Sequence, residues 1–479
     1  MKTLVKSIFF FVVLHVTTLS AQESIQTYTL DPSPLVNQKL EQWQDMKFGL
    51  LMHWGAYSQW GVVESWSICA EDEDWCRRNT DNYELYKKNY ENLKLSFNPV
   101  RFDPSIWAKA AKEAGMKYVV FTTKHHDGFC MYNTQYTDYK VTDSACPFHV
   151  NKRSDIAREV FNAFRAEGMW AGAYFSKPDW HNTDYWWPNF ATPDRNVNYE
   201  ISRYPERWER YVQYTHNQLL ELVTNYGPLD LVWLDGGWVQ KLSDEQVKTQ
   251  SNDPQYRFQK IKSQDIRMDE LVGKLRSVKP DLIVVDRAVP GKNQNYLTPE
   301  NTVPAQHLSY PWESCIIAGG SWSWIPDAKY LTPRKVIHTL CEIVAKGGNL
   351  LLNIAPGPDG TWDKEAFQML EGVGQWMKQN GNAIYNTRAV SPYREGHLAW
   401  TQGKDGKRFA IYLPEENEQS LPAKVMMNEF FAKSSTKITL NGDKTPLEFV
   451  SSGDGTVVII PSALRNYQKG SEAWVFCVE

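Results

Sequence analysis

The chain has 479 residues, too many for one small domain, and at roughly 100–250 residues per domain one large unit and a smaller one are expected. A hydrophobic share of 42% is enough for a sizeable core, and a formal net charge of −4 gives no electrostatic reason to expect nucleic acid or an anionic membrane surface as partner. Rings are abundant (Trp 20, Tyr 24, Phe 20), which serves core packing first but also suits the apolar faces of sugars.

The N-terminus reads as processing sequence. Lys2 and Lys6 flank the start, Ile8 to Val13 form an unbroken apolar run, and Leu19-Ser20-Ala21 offers a small-residue cleavage site, so residues 1–21 are expected to be a signal peptide. The run is interrupted by His15, is too short to span a bilayer, and has no Cys near the cut for acylation. The mature protein is expected to begin near Gln22 and to be exported, periplasmic or extracellular, with no later membrane insertion.

From Phe48 to Pro356 short apolar runs alternate with amphipathic segments. The runs are FGLLMHW (48–54), YVVFTTK (118–124), WAGAYFS (170–176), LDLVWLD (229–235), LIVVDR (282–287) and NLLLNIA (349–355). They are nearly continuous in apolar residues, as strands buried on both faces should be. Asp103-Pro104 opens a helix that stops at Gly115, Ile156 to Glu167 forms one that stops at Gly168, and Thr332-Pro333 opens one that stops at Gly347-Gly348. Repeated βα units imply a parallel sheet, and nearly every strand end carries a polar candidate, which favours a closed (β/α)8-like (TIM) barrel over an open sheet with one switch point. The stretch from Gly236 to Asp265 shows no clear period and is expected to be a long inserted loop. After about Asn386 come short alternating runs (HLAWTQ, RFAIYLP, STKITLNG, TVVIIP, AWVFCVE) between Gly, Asp and Asn, the pattern of a small antiparallel β-sandwich. The division is therefore a barrel over 22–386 and a C-terminal β-sandwich over 387–479.

Of the seven cysteines, Cys69 and Cys76 are the closest pair in a loop-like stretch; the spacings fit no zinc site, and the set reads chiefly as small buried apolar residues.

Asp235 is the strongest single candidate for chemistry. It ends the strand LVWLD, where a parallel barrel opens its mouth, and is followed by Gly236-Gly237-Trp238, a turn that lets a ligand approach. Asp230 begins the same strand and should face the stability side. His125 and His126 follow the second strand and His53 the first; Tyr174 and Arg287 also stand at strand ends. A rival reading uses His53, His125, His126 and Asp235 as metal ligands of a barrel hydrolase, against which the first strand ends in a single His. A third reading is a non-catalytic glycan-binding module.

Taken in order, KFGLLMHWGAYS, TTKHHDGFCMYNT, AYFSKPDW, LDLVWLDGGW, PWESC and GGNLLLNIAPGPDG give the chain a resemblance to the α-L-fucosidases of glycoside hydrolase family twenty-nine, over the whole barrel and the β-domain after it. The resemblance implies retaining hydrolysis of terminal α-L-fucose from fucosylated glycans, without metal or organic cofactor, by two carboxylates ~5–5.5 Å apart. It assigns the nucleophile to Asp235, the sugar hydroxyls to His53, His125 and His126, positions beside the sugar to Tyr174 and Arg287, and the fucose methyl to Trp322. Glu64 and Trp66 fall where the family often has a Glu-Trp pair, here separated by Ser65. For the acid/base, Glu300 in YLTPEN is the nearest match, Glu313 in PWESC the next and Glu64 the third.

Overall fold

The structure, a computed structural model, describes residues 28–70, 78–465 and 472–479. The expected signal peptide and Cys76 lie outside the described residues.

Seven strands form one parallel sheet: β1 (Phe48–Met52), β2 (Tyr118–Lys124), β3 (Trp170–Ser176), β4 (Leu231–Asp235), β5 (Ile283–Asp286), β6 (Glu313–Ile317) and β7 (Asn349–Asn353). Their order is β5-β4-β3-β2-β1-β7-β6. β1, β2 and β7 are buried at every residue, because helices cover one face and the barrel interior the other. The gap between β5 and β6 is closed by an irregular eighth stave. Asn295 N donates to Val284 O of β5 (2.9 Å), while Glu313 N donates to Leu297 O (2.8 Å) and Asn301 N to Cys315 O (2.9 Å) on the β6 side. Proline lacks the N–H that a regular ladder needs, and Pro299 sits in the middle of this stave, which explains why it does not run as a strand. The result is a TIM-barrel-like fold.

The helix signals have physical counterparts. Asp103 caps helix Pro104–Glu113 through Ser105 N, and Thr332 caps helix Pro333–Ala345 through Lys335 N. The inserted stretch after β4 is not wholly a loop: it contains helix Asp244–Ser251, started by a Ser243–Gln246 capping box. That helix buries no residue, so it carries no apolar period to read. At the face opposite the mouth, Asp230 accepts from Ala171 N (3.0 Å) and pairs with Lys39 (2.9 Å).

From Thr387 the chain is antiparallel: β8 (Thr387–Glu395), β9 (Leu398–Gly403), β10 (Arg408–Tyr412), β11 (Lys424–Met427), β12 (Ile438–Leu440), β13 (Glu448–Ser452), β14 (Gly455–Ile459) and β15 (Trp474–Val478). A five-stranded sheet (β12-β15-β10-β9-β8) and a three-stranded one (β11-β14-β13) share a core that includes Trp400, Tyr412, Met427, Val458 and Phe476. This β-domain is tied to the barrel helices by Arg334–Glu472 (3.0 Å) and by Trp376 Nε1 donating to Ala473 O (2.8 Å).

Candidate active site

The strand ends surround a cavity of about 470 Å³, lined by residues that include His53, Glu64, Trp66, His125, His126, Tyr174, Asp235, Trp238, Arg287, Glu300 and Trp322. At its base Asp235 accepts from Tyr174 OH (2.6 Å) at Oδ2, and from Arg287 Nη1 (3.0 Å) and Gly236 N (2.8 Å) at Oδ1. Gly236 has φ +88, and a Cβ there would meet Pro178 at 2.3 Å, so only glycine lets the chain turn to cap its own aspartate. The other η-nitrogen of Arg287 is bonded to Glu300, whose second oxygen accepts from Trp322 Nε1 (3.1 Å). Two carboxylates from different staves are thus fastened to one guanidinium. Asp235 is mostly buried, whereas the Glu300 side chain is 43% exposed at the mouth.

Three imidazoles form the facing wall. Asn353, at the end of β7, donates through Nδ2 to Trp322 O (2.8 Å), which leaves its Oδ1 to accept from His53 Nδ1 (2.9 Å). That arrangement assigns the proton to Nδ1 and leaves His53 Nε2 as an acceptor. Ser65 Oγ lies 2.6 Å from His125 Nδ1 and also accepts from Asp127 N (2.9 Å). The ring of Tyr174 stacks on His125 with centroids 5.6 Å apart.

Burial sets the charge states on this wall. It lowers His53 to about 4 and His126 to about 3, and holds His125 well below the usual histidine range, so all three rings are neutral at neutral pH. Burial alone would raise Asp235, but the Arg287 charge and the Tyr174 hydrogen bond outweigh it and keep this carboxyl ionised far below the usual carboxylate range. Glu64 goes the other way: burial lifts it to about 8, with Ser323 N donating to its Oε1 at 2.8 Å, so it presents a neutral acid to the cavity. It follows that Arg287→Met should raise the acid limb of the kcat/KM profile by about 1–3 pH units, because the largest opposition to burial at Asp235 is then gone and the Tyr174 hydrogen bond remains. A pH–rate series on the variant checks this, and an unmoved acid limb would contradict it.

The structure brings together every sequence-derived candidate except Glu313. Glu64 and Trp66 both line the cavity, and the intervening Ser65 turns back to hold His125. Trp66 and Trp238 form an aromatic rim with ring centroids 5.8 Å apart. Glu313 stands apart from the cavity lining. It opens β6 rather than ending it, and along that strand Cys315 and Ile317 line the cavity while Glu313 lies about 6.6 Å below Cys315 on the barrel floor. It is fully buried, accepts from Tyr118 OH (2.5 Å), and is lifted by burial to about 7.

Four residues of the site escaped sequence reasoning. Arg195 lies over the rings of Trp66 (4.6 Å) and Trp238 (5.1 Å), in a long loop with no local pattern. Ser65 reads as a mere spacer, and Trp233 reads as core. Asn353 did leave a signal, as a polar residue ending the apolar run NLLLN.

His125, His126 and Asp235 offer ligand atoms within 4.8 Å of one another, the geometry that the metal reading needs. The donor set does not suit a dication. Asp235, the one anionic donor, already accepts three hydrogen bonds and has the Arg287 cation 3.0 Å away, so a dication there would meet a like charge. Prolonged dialysis against a chelator should therefore leave turnover unchanged; loss of activity restored by zinc would contradict this.

Residues 15–382 match the α-L-fucosidase family. An α-L-fucosidase of Branchiostoma floridae is 28% identical over 468 residues, covering 92% of this chain and 93% of its own length. Tissue α-L-fucosidase of Bos taurus is also 28% identical, covering 91% and 87%. Among solved structures, α-L-fucosidase isoenzyme 1 from Paenibacillus thiaminolyticus is similar with a TM-score of 0.71 at 28% identity, over 93% of this chain and 99% of that one. Thermotoga maritima α-fucosidase in complex with fucose gives a TM-score of 0.70 at 25% identity, over 95% and 100%. With the family match spanning most of the barrel and the strand-end residues gathered around one cavity, the chain belongs to the α-L-fucosidase family.

Proposed function

We propose that the protein is an exported exo-glycosidase that hydrolyses terminal α-L-fucose from fucosylated oligosaccharides or glycoconjugates with retention of configuration. The observation that carries this reading is the pair Asp235 and Glu300 on a single guanidinium, one buried and ionised, the other at the mouth. A nucleophile and an acid/base placed close together, with no room for water between, is the retaining arrangement.

In the first step an Asp235 carboxylate oxygen forms a bond to the anomeric carbon while the glycosidic C–O bond breaks, and Glu300 gives its proton to the departing oxygen. In the second step Glu300 takes a proton from water, whose oxygen displaces Asp235 and releases α-L-fucose. The neutral rings of His53, His125 and His126 present their remaining ring nitrogens to adjacent sugar hydroxyls, His53 as an acceptor at Nε2 because Asn353 holds its Nδ1–H. Tyr174 and Arg287 hold the nucleophile, Trp322 takes the fucose methyl, Glu64 can donate to a hydroxyl, and Trp66 and Trp238 flank the leaving group at the rim. A cavity of about 470 Å³ suits one terminal sugar, so removal is from chain ends.

The sequence supports a signal peptide over 1–21, a catalytic unit over 22–386 and an accessory β-sandwich over 387–479, with the product released outside the cytoplasm. Hydrolysis of an aryl α-L-fucoside followed by proton NMR tests the central reading: α-L-fucose should form first and mutarotate later. Initial release of the β anomer, or absence of turnover in folded protein, would contradict it.

A further inference from the structure

The barrel floor holds a polar cluster that the reaction itself does not touch. Glu313 is fully buried there, with Tyr118 OH on Oε2 and nothing on Oε1. The Tyr296 hydroxyl and the Trp233 indole N–H are likewise buried without a partner, and both act on the Glu313 carboxyl. Two spare donors therefore converge on one spare acceptor, and buried groups of this kind settle into hydrogen bonds in native proteins. Trp43, from helix Pro34–Met46, closes the cluster by stacking on Tyr296 at 4.0 Å.

Trp233 links this floor to the cavity. It lies two residues before Asp235 on the same inward face of β4 and pairs in register with Tyr174 of β3. Its ring stacks on that of Tyr174 at 5.3 Å, and the Arg287 guanidinium lies over it, also at 5.3 Å. Tyr174 and Arg287 are the side chains that hold Asp235, and Arg287 holds Glu300 as well. One indole thus carries both groups that aim the two carboxylates.

We propose that Glu313 is a positioning residue for the reaction: it fixes the Trp233 indole from the barrel floor, and Trp233 in turn sets the Tyr174 and Arg287 that orient Asp235 and Glu300. The inference rests on the fucosidase reading, and one assay on an aryl α-L-fucoside separates the two. Wild-type protein without turnover defeats the reading, whereas wild-type turnover with unresponsive variants defeats only the inference.

Trp233→Phe keeps an aromatic face under Tyr174 and Arg287 but removes the N–H. Glu313→Gln keeps the volume but sets an amide NH2 among three donors. Each is expected to lower kcat about tenfold with KM changed less than about twofold, because aim is lost rather than sugar binding. Each should also raise the acid limb of kcat/KM, since Asp235 loses part of the stabilisation that Tyr174 and Arg287 give it. The double variant should be no worse than the worse single one, because both substitutions break the same link. Unchanged kcat and acid limb in Trp233→Phe would overturn the proposal, as would fully additive losses in the double variant. Should Glu313→Gln fail to fold, Trp233→Phe alone decides, through the split between kcat and KM and the position of the acid limb.

Discussion

Asp235→Gly is expected to lower kcat by roughly 10⁵–10⁶-fold, on the order of 8 kcal/mol, while leaving the fold intact. The size follows from the role: without the carboxylate no covalent intermediate forms, and neither step has a substitute group in reach of the anomeric carbon. The fold should survive because Asp235 ends its strand and its side chain bonds to groups of the cavity and to the next backbone N–H, while its backbone bond from Lys177 N is kept in the variant. Azide should partly restore turnover by occupying the space of the lost carboxylate. It then attacks from the same side as Asp235 would, giving the inverted β-fucosyl azide. Rates on an aryl fucoside with and without azide, with product configuration by NMR, check this. A variant retaining more than about a tenth of wild-type activity would remove Asp235 from the nucleophile role.

The second large effect belongs to Glu300. Glu300→Ala should depress hydrolysis of natural fucosylated oligosaccharides by roughly 10²–10⁴-fold while sparing aryl fucosides with good leaving groups, which need little protonation. Azide should accelerate the second step of this variant and give the retained α-fucosyl azide, opposite in configuration to the product from Asp235→Gly. The half-exposed position at the cavity mouth suits a group that must meet both leaving group and incoming water. If Glu300→Ala responds equally on both substrate types and ignores azide, the acid/base must be sought elsewhere. Glu64, a buried acid lifted to about 8 on the same cavity wall, is then the group to test. Glu313 does not line the cavity.

Six of the seven barrel strands, all but β6, were legible because burial on both faces writes continuous apolar runs, and the strand-end rule then pointed at His53, His125, His126, Tyr174, Asp235 and Arg287. The helix starts at Asp103 and Thr332 were legible for a different reason: capping is local chemistry, carried by one side chain and the N–H it accepts from. What sequence could not give was register in an irregular stave. Glu300 and Glu313 lie thirteen positions apart in one proline-rich stretch, and only the bonds from Glu313 N to Leu297 O and from Asn301 N to Cys315 O show that one reaches the mouth while the other lies on the floor. Helix Asp244–Ser251 and the edge strands β8 and β13 were missed because they bury one residue at most, and β11 because four residues are too few to show its alternation. Arg195 and Ser65 are site residues by tertiary placement alone.

The covalent intermediate is where the account is tested most directly. A fucosyl fluoride carrying fluorine at C2 reacts through the first step but slows the second, so the adduct accumulates and survives digestion. Mass spectrometry of the resulting peptides should place a single fluorofucosyl group on the peptide containing LDLVWLDGGW, at Asp235. An adduct on any other carboxylate, or none in protein that still turns over aryl fucoside, would contradict it.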